Sequence, residues 1–301
     1  MIYTVTFSPS IDYILKLDDL TLGEINRSKG EKIVAGGKGV NVSVMLKNLG
    51  EDSVATGFIG GFTGDYIKKF LDDRMIENEF VIVPGNSRIN VKITGNNTET
   101  AINAQGPDIT NEKITELLSL INRLIENDYL IISGNVPPNL PPYIYELILS
   151  YIRTPNVKII IDCEKLLLKN LLKYHPFLIK PNKKELEDYF NQKIDSVKDM
   201  VEKCKILKQQ GAKNVIVSLG DMGAFMLTED NRELFVEAPK IKMCSSVGSG
   251  DALIAGFVSE YNKTGDYEQA LRYGVACGTA SAERDYLADK KDVDRILEKI
   301  K

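Results

Sequence analysis

The chain has 301 residues, of which 43% are hydrophobic and 27% charged, so it can bury a large core and is neither disordered nor fibrous. A net charge of −4 argues against nucleic acid or an anionic membrane as the main partner, and the single histidine, His175, excludes a multi-histidine metal centre. Cys163, Cys204, Cys244 and Cys277 form no Cys-x-x-Cys pair and are expected to pack as small apolar groups.

Met1 to Phe7 runs straight into a strand with no basic leader, and no later run approaches membrane-spanning length, so a cytoplasmic protein is expected. Ile2 to Phe7, Ser53 to Phe58, Tyr129 to Ser133, Val157 to Asp162, Phe177 to Lys180 and Asn214 to Ser218 are short β-branched runs that predict buried strands. Helical spacing separates them: Val42, Met45, Leu46 and Leu49; Ile114, Leu117, Leu118 and Ile121; Ile144, Leu147, Ile148 and Tyr151; and last Val293, Ile296, Leu297 and Ile300. This alternation predicts an α/β fold with a mostly parallel sheet covered on both faces. Ser133, Asp162, Lys180 and Ser218 close their strands, so they would rim a site at the carboxyl edge of the sheet.

Two stretches break the pattern. Ile11 to Leu17 and Ser87 to Thr94 alternate polar and apolar residues, the second with Arg88, Asn90, Lys92 and Thr94 on one face and Ile89, Val91 and Ile93 on the other. That spacing predicts half-exposed antiparallel strands. With Glu31 to Val34 and Glu99 to Asn103 they would form a small β lid, contributed by about 11–34 and 87–105, on a single domain spanning 1–301. Its polar face would turn Asp12, Arg88 and Asn90 toward the cleft, and its apolar face would be covered by a second subunit in a homodimer.

Five segments can carry chemistry. Gly36-Gly37-Lys38-Gly39-x-Asn41 precedes the Val42 to Leu49 helix, which Gly50 terminates; its glycines would let a ligand approach the backbone while Lys38 adds charge. It is not a Walker A loop, because no Ser or Thr follows the lysine. In Lys180-Pro181-Asn182-Lys183-Lys184-Glu185, Asn182 and Glu185 share the first turn of a helix and could hold hydrated Mg²⁺; the same spacing also suits a capping box that needs no metal. Ser218-Leu219-Gly220-Asp221-Met222-Gly223 is a strand end and glycine turn leading into a second strand, Ala224 to Leu227, and could cradle a triphosphate or ribose. Gly248-Ser249-Gly250 opens an apolar helix at Asp251, so backbone N–H groups converge on one spot suited to an anion. A carboxylate there reads either as a general base beside a phosphate or as a simple helix cap. After it, Gly274 to Ala282 is a face of very small residues, suited to close helix packing or to a flat adenine ring.

In this order the segments resemble the ribokinase-like carbohydrate kinases of the PfkB family, over Met1 to about Ala282. Gly36-Gly37-Lys38-Gly39-x-Asn41 and Val247-Gly248-Ser249-Gly250-Asp251 with Ala255-Gly256-Phe257 carry most of the resemblance. Ile2 to Asp12, Gly60-Gly61-Phe62-Thr63-Gly64 and Arg88-Ile89-Asn90-Val91-Lys92 look most like the bacterial 1-phosphofructokinase branch, with tagatose-6-phosphate kinase as its neighbour. The resemblance implies a three-layer α/β/α fold with a small antiparallel β lid, and ATP-dependent phosphorylation of a ketohexose phosphate. Asp251 would take the proton of the acceptor hydroxyl, with the amides from Gly248 through Ser249 and Gly250 to Asp251 as an anion hole. Asp12, Gly37 and Asn41 would hold sugar hydroxyls, and Arg27, Lys38 and Arg88 the phosphate already on the sugar. Asn182 and Glu185 would organise Mg²⁺; Lys180, Ser218, Gly220, Gly223 and Gly250 would line the nucleotide. Two positions depart from the family pattern: Ser8 stands where asparagine is usual before Pro9, and Asn135 replaces a serine near the sugar. A non-catalytic sugar-phosphate sensor on the same fold is an alternative. A nicotinamide-dependent oxidoreductase is not, because Leu253 stands where its fingerprint needs a third glycine.

Overall fold

A computed structural model describes residues 1–95, 98–134, 136–138, 140–163 and 165–300. The chain begins with β1 (Ile2–Thr6), β2 (Ser10–Lys16), β3 (Gly30–Gly36), α1 (Lys38–Asn48), β4 (Val54–Ile59), α2 (Gly61–Asp72), β5 (Glu77–Ile82), β6 (Arg88–Gly95) and β7 (Thr98–Asn103). A central stretch follows with α3 (Asn111–Ile121), β8 (Tyr129–Ser133), α4 (Ile144–Tyr151), β9 (Lys158–Asp162), α5 (Lys165–Leu171), β10 (Leu178–Ile179), α6 (Lys183–Phe190) and α7 (Val197–Gln209). It ends with β11 (Asn214–Ser218), β12 (Ala224–Leu227), β13 (Glu233–Val236), α8 (Ser249–Thr264), α9 (Tyr267–Ala282) and α10 (Lys290–Leu297).

Nine strands form the main sheet in the order β13-β12-β11-β10-β9-β8-β1-β4-β5. Every pair from β11 to β5 is parallel, and β12 and β13 add an antiparallel edge. Successive strand residues point to opposite faces, so the β-branched runs feed two cores. Tyr129, Ile131, Ile160, Ile216 and Met226 pack on one side with α1, α2, α8, α9 and α10. Leu130, Ile132, Ile161, Val215, Val217 and Phe225 pack on the other with α3, α4, α5, α6 and α7. Each such side chain, fully buried, contributes about 1.5–3 kcal/mol. This is the expected three-layer architecture.

The predicted strands form, with ends shifted by a residue or two. Two strands lie where no strand is predicted, β5 and β13, and both are sheet edges. Their sequences, Glu-Asn-Glu-Phe-Val-Ile and Glu-Leu-Phe-Val, carry the charge that edge strands use to resist further pairing, which also hides them from an apolar-run criterion. Helices α1 and α8 begin earlier than their apolar periodicity indicates, at Lys38 and Ser249, because their first turns face a cavity rather than the core. Cys163, Cys204 and Cys277 are buried as expected, whereas Cys244 is exposed and its thiol donates to Asp285 Oδ1 at 2.9 Å. Among the described residues no helix is long and apolar enough to cross a membrane.

The second sheet has the order β3-β2-β6-β7. Its outer pairs are antiparallel, as predicted, while its central pair, β2 with β6, is parallel and sets Ser10 opposite Arg88 and Asp12 opposite Asn90. Ile33, Tyr13, Val91 and Ile102 lie in one row across the four strands. Ile33 and Ile102 of that row are exposed, whereas Asp12 and Asn90 on the opposite face are buried.

Candidate active site

The carboxyl edge of the main sheet, the polar face of the small sheet and the first turns of α1 and α8 enclose a cavity of about 1390 Å³. Gly248 leads into α8 in the left-handed region, φ 79°, and serves as its N-cap without any side-chain hydrogen bond. Asp251, three residues on, is therefore not the cap. Its carboxylate is 6% exposed and accepts from Asn41 Nδ2 at 2.8 Å. Burial, reinforced by the nearby charge of Asp162, pushes Asp251 up to about 7, while the Asn41 hydrogen bond and the Lys38 and Lys180 ammoniums pull the other way. A carboxyl poised near neutrality can both take up and release a proton.

Asp162, at the end of β9, lies between two lysines: Lys38 Nζ at 3.2 Å from Oδ2 and Lys180 Nζ at 3.4 Å from Oδ1. Burial would raise this carboxyl, yet Lys180 and Lys38 outweigh it and hold Asp162 below the usual carboxylate range. The Lys38 ammonium, disfavoured by burial, is more than restored by Asp162 and then Asp251. Lys180 lies so close to α8 that a Cβ on Gly250 would stand 3.2 Å from its Nζ.

On the small sheet, Asp12 accepts from Ser10 Oγ at 2.8 Å and from Asn90 Nδ2 at 2.9 Å through Oδ1, and pairs with Lys92 Nζ at 2.7 Å through Oδ2. Arg88 donates from Nε to Ser8 O at 3.0 Å, and its guanidinium also borders the cavity. The glycines beside this cluster serve the protein's own packing before any ligand. A Cβ on Gly36 would lie 2.7 Å from the Asp12 carboxylate, and one on Gly39 would lie 2.5 Å from Thr6 Oγ1. Gly37 adopts φ 114°, which a side chain would strain. The glycines thus also let α1 approach β1 and β2, while Gly37 lines the cavity.

The opposite wall comes from the turn after β11, from Phe235, and from α9. Gly220 and Gly223 have φ of 63° and 101°, and a Cβ on Gly223 would collide with Val236 O at 2.0 Å. Asn182 and Glu185 form a complete capping box, each accepting the other's backbone N–H at 2.8 Å. The small residues of α9 divide by face: a Cβ on Gly274 would meet Leu253 O at 2.8 Å, whereas Val275, Thr279 and Ala282 line the cavity. Asn41 Oδ1, Asn90 Oδ1 and Ser249 Oγ are buried without a protein hydrogen-bond partner and belong to cavity-lining residues. Such atoms cost about 1–3 kcal/mol unless satisfied, and they mark where a polar ligand would be received.

Residues 5–292 match the pfkB family of carbohydrate kinases. The chain belongs to this family. Over 99% of its length the kinase is 42% identical to 1-phosphofructokinase of Borreliella burgdorferi, covering 96% of that protein. It is 37% identical to D-tagatose-1-phosphate kinase of Bacillus licheniformis, with 100% of this chain and 98% of the relative covered. Phosphofructokinase-2 from Escherichia coli in complex with substrates and products has the same fold, with a TM-score of 0.93 at 25% identity over 99% of this chain and 98% of that one. The tagatose relative is named for a 1-phosphate, where the sequence resemblance pointed to a 6-phosphate enzyme.

Of the residues expected at the kinase site, Asp12, Gly37, Lys38, Asn41, Arg88, Asn90, Lys180, Asn182, Glu185, Ser218, Gly220, Gly223 and Gly248 through Asp251 all line the cavity. Arg27 does not; it lies in the exposed segment between β2 and β3. Asn135 lies outside the described residues. Asp162, expected from its strand end to rim the site, lines the cavity as well. Lys92, the ion-pair partner of Asp12, escaped the sequence reading, where it is only one member of an alternating face.

Proposed function

We propose that this kinase transfers the γ-phosphoryl group of ATP to the carbon-6 hydroxyl of fructose 1-phosphate, giving fructose 1,6-bisphosphate. The observation that carries the reading is the position of Asp251: a buried carboxylate in the first turn of α8, held by Asn41, with the small-sheet cluster on one side and the Lys180 to Gly223 wall on the other. Asp251 takes the proton of the acceptor hydroxyl. The N–H groups from Gly248 to Asp251, at the positive end of a 16-residue helix, stabilise the charge of the transferring phosphoryl group. Ser249 Oγ, buried and unpaired in the same turn, is available to that group as well.

Asp12, Gly37, Asn41 and Asn90 receive the sugar, and Arg88 with Lys38 receives the phosphate it already bears. A guanidinium suits that task because its fork matches phosphate oxygens. Lys180, Ser218, Gly220, Gly223 and Gly250 line the nucleotide. Asn182 and Glu185 fit a role with Mg²⁺: a capping box occupies one oxygen of a carboxylate that has two, and Mg²⁺ asks for one or two carboxylates along with phosphates and water. Among the described residues no three His, Cys, Asp or Glu side chains form a metal cage, so the ion would be held largely by the nucleotide. When bound, it would neutralise charge on the phosphates.

The small sheet acts in this reading as a lid on one kinase domain, excluding water so that ATP is not hydrolysed idly. Its outer row of Ile33, Tyr13, Val91 and Ile102 supports a homodimer joined lid to lid.

A second reading, phosphorylation of a tagatose phosphate, is favoured by the 37% identity to D-tagatose-1-phosphate kinase. A coupled assay comparing kcat/KM for fructose 1-phosphate, D-tagatose 1-phosphate, tagatose 6-phosphate and fructose 6-phosphate decides between them. Fructose 1-phosphate is expected to lead by about tenfold or more; a tagatose phosphate in first place transfers the assignment to the second reading.

A further inference from the structure

The segment Gly60-Gly61-Phe62-Thr63-Gly64 lines no part of the cavity. It opens α2, and it holds Ser87, the residue immediately before β6, from three directions. Gly60 N donates to Ser87 Oγ at 3.0 Å, Ser87 N donates to Gly60 O at 2.9 Å, and Thr63 Oγ1 donates to Ser87 O at 2.8 Å. Thr63 and Ser87 are 0% and 2% exposed. The glycines make the approach possible: a Cβ on Gly60 would lie 2.4 Å from Val83 O, and one on Gly61, whose φ is 58°, would lie 1.8 Å from Asn86 Oδ1. Every polar group of Ser87 is thus tied to one turn of a helix that belongs to the main body.

Ser87 is the last fixed point before the chain enters the small sheet. Arg88 follows at once, and the two-residue period of a strand puts Asn90 and Lys92 on the same face. A slip of one residue would turn Arg88 and Asn90 away from the cavity and Lys92 away from Asp12. The Asp12 contacts of Asn90 and Lys92 hold β6 against β2 within the small sheet, and the Ser87 contacts tie the start of β6 to the main body.

We propose that Thr63 and Ser87 are positioning residues for the phosphorylated sugar: their hydrogen bonds fix where β6 begins and thereby where Arg88 and Asn90 stand. The clasp rests on the reading of Arg88 as the phosphate contact. It acts on the sugar side of the cavity and leaves the nucleotide wall unchanged.

Thr63→Val keeps the shape of the side chain and removes its donor, Thr63→Ser restores the donor, and Ser87→Ala removes the acceptor of the Gly60 amide. Thr63→Val and Ser87→Ala are expected to raise KM for fructose 1-phosphate roughly five- to twentyfold, with KM for ATP within about twofold, and Thr63→Ser to return near the wild-type values. Parallel rises in both KM values, or an unchanged KM for the sugar phosphate, overturn the proposal. Amide hydrogen exchange from Arg88 to Lys92, measured on the ligand-free protein, separates this from the substrate assignment. Faster exchange in Thr63→Val, with α8 unchanged, supports the clasp even if the wild type prefers another sugar phosphate; unchanged exchange overturns it whatever the substrate.

Discussion

Asn41 Nδ2 donates to Asp251 Oδ2 at 2.8 Å, joining the first turn of α1 to the first turn of α8 across 210 positions of sequence. This contact favours the ionised carboxylate, whereas burial and then the charge of Asp162 disfavour it. The balance leaves Asp251 at about 7. Two substitutions should move it in opposite directions. Asn41→Ala removes a donor to the charged form, so the acid limb of the kcat/KM profile should move to higher pH. Asp162→Asn removes a repelling charge, so the limb should move to lower pH. A pH–rate series on both variants checks this, and shifts of the same sign would contradict the assigned electrostatics.

Asp251 should also lower stability as it ionises. Its folded value is raised above that of an unfolded carboxylate, so between about pH 4 and pH 7 the native state binds more protons than the unfolded state and stability falls as pH rises. Asp251→Asn keeps the shape and the acceptor for Asn41 while removing the charge. The variant should match the wild type near pH 4 and exceed it by roughly 1–4 kcal/mol above pH 7 in denaturant titrations. A constant difference across that range would show that ionisation is not its source.

Arg88→Ala tests the phosphate contact. The guanidinium lies beside Asp12 in the cavity, where burial lowers its pKa and Asp12 opposes that shift, and it remains a cation at any working pH. The substitution should raise KM for fructose 1-phosphate by about tenfold to a hundredfold and leave KM for ATP nearly unchanged. An equal loss on unphosphorylated fructose would contradict the assignment.

The outer row of the small sheet predicts a dimer. Sedimentation at micromolar concentration should give about twice the 33.5 kDa of one chain, and Ile102→Asp, which puts a charge in that row, should shift the protein to monomer. A monomeric wild type would leave the row without the partner proposed for it.

Much of this architecture is legible from periodicity, and its failures have physical causes. Tyr129 to Ser133 and Asn214 to Ser218 are strands at the predicted bounds because both their faces are buried and every position is apolar or small, apart from Asn214, whose amide is hydrogen-bonded to Phe177 O and Glu229 N. Strands β5 and β13 escape the same criterion because edges carry charge. Lys38, Asn41 and Asp251 stand out because glycine turns mark their positions, and Asp162 because it closes a strand; its pairing with Lys38, 124 residues away, does not, because no local pattern announces a contact made by folding. Gly36 was legible as a glycine but not for its reason, which is the Asp12 carboxylate lying against it. Arg27, assigned to the phosphate by resemblance, stands on an exposed segment away from the cavity of its own chain.

The central claim is that Asp251 acts as the base, and turnover by Asp251→Asn tests it most directly. The amide is isosteric and should leave ATP and fructose 1-phosphate affinities within a few-fold, while kcat falls by about two to four decades. A variant that retains more than about a tenth of wild-type kcat would contradict the account, because no other carboxylate stands in the first turn of α8.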